Sequence, residues 1–193
     1  MCLIYRNASV KTAQQVYEPA EDSFLLADAA LSEVRNSDRV LEVGCGSGII
    51  SAVIKANTKA SVVGIEINPF AARCSKENGI EVIRGDLLSC IKGEFDLILF
   101  NPPYLPTNEM ERTKDWINAA LDGGYDGRSI IKRFLNEAGN CLSNNGKILL
   151  LISSMTGIDE VRSELISLGY SILEIGHERL DFEQLIVLAA TRK

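Results

Sequence analysis

Histidine is almost missing from this 193-residue chain: His177 is the only one. Cysteine is sparse, with Cys2, Cys45, Cys74, Cys90 and Cys141 scattered and none spaced as C-x-x-C. One imidazole and five unpatterned thiols do not make a Cys/His zinc site at any usual spacing, so no metal is expected. The thiols read as reduced, most of them small core residues. No apolar run approaches the ~20 residues of a membrane span, which excludes a membrane helix. Met1 to Val16 lack the charged-then-apolar pattern and cleavage site of a secretory signal, so a cytoplasmic location is expected. Positive charge is short as well. Twenty lysines and arginines stand against 26 acids, a net charge of −6, which argues against a sequence-independent grip on nucleic acid. Repeats, low-complexity tracts and linkers are lacking too, so residues 1–193 read as one domain able to bury a core, with 1–16 an irregular or short-strand lead-in.

What is present is a sharply punctuated stretch, Phe95-Asp96-Leu97-Ile98-Leu99-Phe100-Asn101-Pro102-Pro103-Tyr104. Leu97 to Phe100 is apolar at every position, the signature of a strand buried on both faces of a parallel sheet. Pro102 and Pro103 have fixed φ and no N–H, so the strand stops there. Asn101 is thereby held at the carboxyl edge of a sheet, where open α/β folds place their ligands. Upstream, the pattern alternates. A helix is expected from Pro19 to about Val34 and a strand over Arg39 to Val43. Next come a glycine turn, Gly44-Cys45-Gly46-Ser47-Gly48, and a helix over Ile49 to Asn57. A strand from Ala60 to Ile65, a helix from Pro69 to Asn78 and a strand from Ile80 to Arg84 follow. Downstream, residues 105–124 form a long polar loop, and Ser129 begins a helix. Asn144-Asn145-Gly146 reads as a turn before a strand over Lys147 to Ser153. A last helix spans Gly157 to Leu168, and strands at Tyr170 to Ile175 and Leu185 to Thr191 are joined through polar residues 176–183. Strands alternating with helices predict a doubly wound, mostly parallel sheet with an antiparallel edge.

A glycine turn alone does not discriminate among nucleotide folds. Gly44-x-Gly46-x-Gly48 is tighter than the G-x-G-x-x-G of pyrophosphate binders, so no phosphate need be cradled. Acids stand at the ends of three successive strands: Glu42, Glu66 and Asp86. Glu42 and Gly44 suit an amino-acid tail, Glu66 and the adjoining Ile67 a ribose, and Asp86-Leu87 an adenine amine. Together they read as a pocket for S-adenosylmethionine.

The order Glu42-Val-Gly-Cys-Gly-Ser-Gly48, Glu66-Ile-Asn-Pro69, Asp86, Asn101-Pro-Pro-Tyr104 resembles the Asn-Pro-Pro-Tyr class of methyltransferases. Val16-Tyr-Glu-Pro-Ala-Glu-Asp-Ser23 and Asp122-Gly-Gly-x-Asp-Gly-Arg128 resemble the entry motif and second signature of its HemK-type subgroup, the short glutamine N5 methyltransferases of archaea and eukaryotes. The extra N-terminal helical domain of the bacterial release-factor enzymes is not expected here.

The resemblance implies a Rossmann-like class I S-adenosylmethionine-dependent fold: a seven-stranded, mostly parallel sheet with an antiparallel edge and helices on both faces. It implies methyl transfer to a glutamine side-chain amide, in the Gly-Gly-Gln loop of a class I translation release factor. Asn101, Pro102, Pro103 and Tyr104 would be catalytic. Ser23, Glu42, Gly44, Gly46, Gly48, Glu66, Ile67, Asp86, Leu87 and Asn101 would bind the cofactor. A small zinc-binding activator subunit is a further expected partner, docked on a sheet edge exposed around Ile80 and Val82. Tyr17 and Glu21 either line the pocket or fix the entry segment. Arg128 orders its loop, His177 lies on the surface, and Trp116 covers substrate or a partner. Three alternatives stay open: adenine-N6 methylation of nucleic acid, lysine methylation, and a non-catalytic adenosylmethionine-binding module.

Overall fold

The computed structural model describes residues 2–108 and 115–193; part of the loop expected over 105–124 therefore lies outside the described residues. The apolar run after Glu94 forms strand β6 (Phe95–Phe100), and its side chains alternate between two core layers. Leu97 and Leu99 meet Val40, Leu149 and Leu151 beneath helices α1 (Glu21–Glu33) and α2 (Ile49–Asn57). Ile98 and Phe100 meet Ile131, Phe134, Val161 and Leu165 beneath α5 (Ser129–Ala138) and α6 (Ile158–Ser167). Period-two packing on both faces is the reason the run is continuously apolar.

Around β6 the sheet assembles β3 (Arg39–Val43), β4 (Ser61–Glu66), β5 (Glu81–Arg84), β7 (Leu142–Ser153), β8 (Tyr170–Arg179) and β9 (Gln184–Arg192), in the order β5-β4-β3-β6-β7-β9-β8. The first five in that order are parallel, and β9 runs antiparallel to both β7 and β8. From β3 the chain moves outward through β4, α3 (Pro69–Glu77) and β5, then returns to place β6 on the other side of β3. That reversal opens a crevice between the carboxyl ends of β3 and β6, where doubly wound sheets bind ligands.

The lead-in is more regular than expected. Cys2–Tyr5 (β1) and Ala8–Lys11 (β2) pair as an antiparallel hairpin whose turn residues, Arg6 and Asn7, have φ of 43° and 68°. Two left-handed residues give a turn whose twist matches the strands. The Arg6 guanidinium forks onto Asp28 of α1 at 2.9 and 2.7 Å, fastening the hairpin to the body.

Three boundaries differ from the sequence reading. Asn144-Asn145-Gly146 is not a separate turn; it lies within β7, where the register jumps from Phe95–Leu142 to Leu97–Lys147. Ser143 bonds Asp96 across this irregularity at 3.1 Å. The polar stretch from Gly176 continues β8 to Arg179, because an outermost strand tolerates polar side chains, and a bulge at Ile175 absorbs the register change. Ile80, just before β5, and Val82 within it are not exposed: they are buried against Cys45 and Ala72, and Ile83 takes the open face.

Phe100 and Phe134 are fully buried with ring centroids 4.6 Å apart, joining β6 to α5. Phe134→Ala should cost about 3–5 kcal/mol. Urea unfolding should show a lowered midpoint with an unchanged slope; a loss within experimental error would refute this account of the core.

Candidate functional site

The crevice holds a cavity of about 280 Å³. Its floor is the turn after β3. Gly44 and Gly46 adopt φ of 63° and 56°, and the N–H groups of Gly44 and Cys45 both donate to the Ile65 carbonyl at the end of β4. A Cβ on Gly46 would meet no heavy atom within 4 Å, so this backbone is open to whatever fills the cavity. Gly48 differs. A Cβ there would lie 2.6 Å from Ser75 Oγ and 2.9 Å from Ile80, so Gly48 serves close packing of α2 against α3 and, contrary to expectation, does not line the cavity.

Two buried carboxylates hold the turn. Glu66 Oε2 accepts the Gly46 N–H at 2.8 Å, and its Oε1 accepts the Asn68 N–H at 2.9 Å. Glu42 Oε2 accepts both the N–H and the hydroxyl of Ser51 in the first turn of α2. Burial raises the Glu42 carboxyl to about 7; the Ser51 bonds oppose that rise and the Glu66 charge adds to it. Burial likewise raises Glu66, against the N–H bonds it accepts. Both sites hold a negative charge at some cost, as a cationic or hydroxyl-bearing ligand would require.

Opposite the glycine turn, β6 ends in Asn101-Pro102-Pro103-Tyr104, all four lining the cavity. Asn101 Nδ2 donates to Asp22 Oδ2 at 2.9 Å, and among the described residues the buried Asn101 Oδ1 has no hydrogen-bond partner. Asp22 also receives the Tyr17 hydroxyl at 3.1 Å and both the N–H and hydroxyl of Ser23. Burial, followed by the charge of Asp22, pushes the phenols of Tyr17 and Tyr104 well above the ordinary tyrosine range, so both stay neutral.

The cavity brings together Ser23, Glu42, Gly44, Gly46, Glu66, Ile67, Asp86, Leu87 and the Asn101–Tyr104 stretch, along with Tyr17 and Trp116. One Asp86 oxygen is engaged by Arg133 of α5 at 2.7 Å, and Leu87 takes a φ of 47°. Trp116 opens the short helix α4 (Trp116–Ala119), its N–H bonded to the Gln15 side chain at 3.2 Å. Arg128 lies outside the lining; its guanidinium pairs with Asp126 and bonds the Thr156 carbonyl, tying two loops together. His177 sits in β8 beside Gln184, outside the cavity. Sequence reasoning missed the role of Asp22, which entered only as one residue of the entry motif, and that of Arg133. Pairing across distant segments carries no local pattern, although a carboxylate beside the entry-motif serine was a usable signal.

The family model described as methyltransferase small domain matches residues 20–168. A Methanocaldococcus jannaschii protein named as a protein N5-glutamine methyltransferase is 41% identical over 198 residues, covering all of both chains. The Mus musculus methyltransferase HEMK2 is 35% identical, covering 82% of this chain and 81% of its own. Among solved structures, the E. cuniculi Mtq2–Trm112 complex, described as responsible for methylation of the eRF1 translation termination factor, aligns with a TM-score of 0.78 at 28% identity. It covers 93% of this chain and 100% of the other.

Because Glu42 and Glu66 bind protons more tightly folded than unfolded, their burial is best tolerated when they are protonated. For Glu42, stability should be highest near pH 4.5, the ordinary glutamate value, and decline as pH rises to about 7. Relative to wild type, Glu42→Gln should gain on the order of 2–3 kcal/mol across that window. Urea midpoints measured for both proteins over the window test this; a constant difference between them would rule it out.

Proposed function

The chain belongs to the protein N5-glutamine methyltransferases, and on that footing we propose that it methylates the side-chain amide of a glutamine in the Gly-Gly-Gln loop of a class I translation release factor. The family and fold imply S-adenosylmethionine as methyl donor, and the cavity's residues fit that molecule. Gly46 leaves its backbone uncovered, Glu66 and Ile67 offer a place for a ribose, Glu42 and Gly44 for the charged amino-acid tail, and Asp86 and Leu87 for adenine. When bound, that cofactor supplies an electrophilic methyl on a sulfonium.

The observation that carries the reading is the partnerless Asn101 Oδ1. A buried acceptor left unmade costs ~1–3 kcal/mol, and a primary amide N–H satisfies it. In this mechanism Asn101 Oδ1 and the Pro102 carbonyl each accept one amide hydrogen, and the stiffness of Pro102-Pro103 keeps the two acceptors in place. The amide nitrogen is a poor nucleophile, and its alignment supplies much of the rate. Positive charge grows on it during transfer, and Glu21, Asp22 and Glu183, all close enough to raise the Tyr104 phenol, lower the cost of that charge. Tyr104 stays neutral and packs on the flat amide, its π-face tolerant of the developing cation. The neutral phenols are not bases, and none is needed before transfer.

A second subunit fits the free edge of β5. Among the described residues the outer side of that strand has no neighbour in the sheet, Ile83 is exposed, and a concavity of mixed lining adjoins it, with Val63, Ile83, Ile91 and Phe95 beside Arg39, Glu81 and Lys92. A partner strand added there would cover both. Co-expression with a small zinc-binding activator subunit should raise the soluble yield, and Ile83→Asp should abolish co-purification while leaving the secondary structure unchanged. Equal yield and activity from the chain alone would rule out an obligate partner.

With labelled adenosylmethionine, label should appear on a release factor bearing Gly-Gly-Gln and not on its Gly-Gly-Ala form. Label on adenine-containing DNA and on neither protein would replace this reading with nucleic-acid methylation. Asn101→Ala should lower kcat by about 10²–10³ with cofactor affinity nearly unchanged; near-normal turnover would overturn the mechanism.

A further inference from the structure

We propose that Asp22 is a positioning residue that fixes the orientation of the Asn101 amide and thereby makes the site prefer a glutamine amide over a glutamate carboxylate. The proposal rests on the reading of Asn101 Oδ1 as the acceptor of the substrate amide.

Asn101 has two orientations of nearly identical shape, related by exchanging Oδ1 and Nδ2. A carboxylate is an acceptor only, so the 2.9 Å contact to Asp22 Oδ2 is favourable in one of them. With Nδ2 toward Asp22, the bond is a charge-assisted N–H donation. Reversed, two oxygens face each other at that distance. The fixed orientation leaves Oδ1 as the buried atom without a partner. A glutamine amide brings the hydrogen that Oδ1 lacks. A glutamate carboxylate brings another acceptor and is rejected.

Asp22 can impose this because it is itself held. It is 4% exposed, in the first turn of α1. Its Oδ1 receives the Ser23 N–H at 2.6 Å and the Ser23 hydroxyl at 3.1 Å. Its Oδ2 shares the Asn101 bond with the Tyr17 hydroxyl, which burial keeps protonated and so able to donate. Every named partner of Asp22 is a donor, and the positive end of the helix favours its charge. The entry segment thus reaches across to the end of β6 through one carboxylate.

Asp22→Asn preserves shape and brings an N–H₂ group of its own. Facing it, Asn101 can reverse and offer Nδ2 to the substrate, which welcomes a carboxylate. The test titrates two peptides of identical flanking sequence, one with Gly-Gly-Gln and one with Gly-Gly-Glu, in the presence of S-adenosylhomocysteine. The readout is the ratio of the two Kd values, which does not depend on what fraction of a variant is folded. Wild type should favour glutamine by about tenfold or more, the equivalent of one hydrogen bond. Asp22→Asn should bring the ratio near unity or invert it.

Removing a negative charge would by itself ease repulsion of glutamate, so the same pair is measured in an Asn101→Ala background. There Asp22→Asn should shift the ratio only by that charge effect, clearly less than with Asn101 present, because the orientation acts through the Asn101 amide. A ratio preserved in Asp22→Asn, or one shifted equally with and without Asn101, overturns the positioning role. A wild type with no preference for glutamine instead removes the amide-acceptor reading, and this proposal with it.

Discussion

The Glu66 carboxylate holds the ligand edge of the sheet in register with itself. One oxygen takes the Gly46 N–H and the other the Asn68 N–H, so the turn after β3 and the start of α3 hang from a single group. Asn68 in turn caps α3 by accepting the Phe70 N–H, and its Nδ2 donates to the Gln15 carbonyl at 2.6 Å. The Gln15 side chain then receives the Trp116 N–H. Glycine turn, helix cap, entry segment and the short helix over the cavity are therefore linked in sequence. The linkage uses a buried charge, which is costly, and each oxygen is bonded to an N–H that offsets part of that cost.

The chemistry follows the same logic of arrangement. Among the described residues the site contains phenols that burial keeps neutral and carboxylates bound to donors. Such a site suits a nucleophile whose proton leaves only after its nitrogen has become cationic. In the proposed reaction its work is alignment and a negative surrounding potential.

Much of this was legible in the sequence, for physical reasons. Strands buried on both faces write themselves as continuous apolar runs, so β3, β4 and β6 were readable from Arg39, Ala60 and Leu97 onward. Proline and glycine marked their ends, which located Asn101, Glu66 and the glycine turn. Where one face is exposed, the signal fails. The outermost strand β8 runs on through Gly176 to Arg179 with polar side chains that resemble a loop. The exposure expected around Ile80 and Val82 fails, because their burial depends on α3 and the glycine turn rather than on anything local. Asp22 and Arg133 acquire their roles from Asn101 and Asp86, far away along the chain. Gly48 belonged to the motif and yet serves packing, a distinction between ligand and helix that spacing alone does not carry.

The position of β9 has a consequence for how the protein is made. It follows β8 in chain order, yet it lies inside the sheet, between β7 and β8. Its pairing with β7 runs from Ser153–Leu185 to Lys147–Thr191. On the ribosome, β7 emerges with the apolar run Ile148–Ile152, whose hydrogen-bonding edge stays open until Gln184–Arg192 has followed. An unpaired apolar edge is a template for joining another chain. The nascent protein is thus most prone to aggregate just before Gln184–Arg192 emerges, and loss of β9 would expose the β7 edge inside the sheet rather than trim its margin.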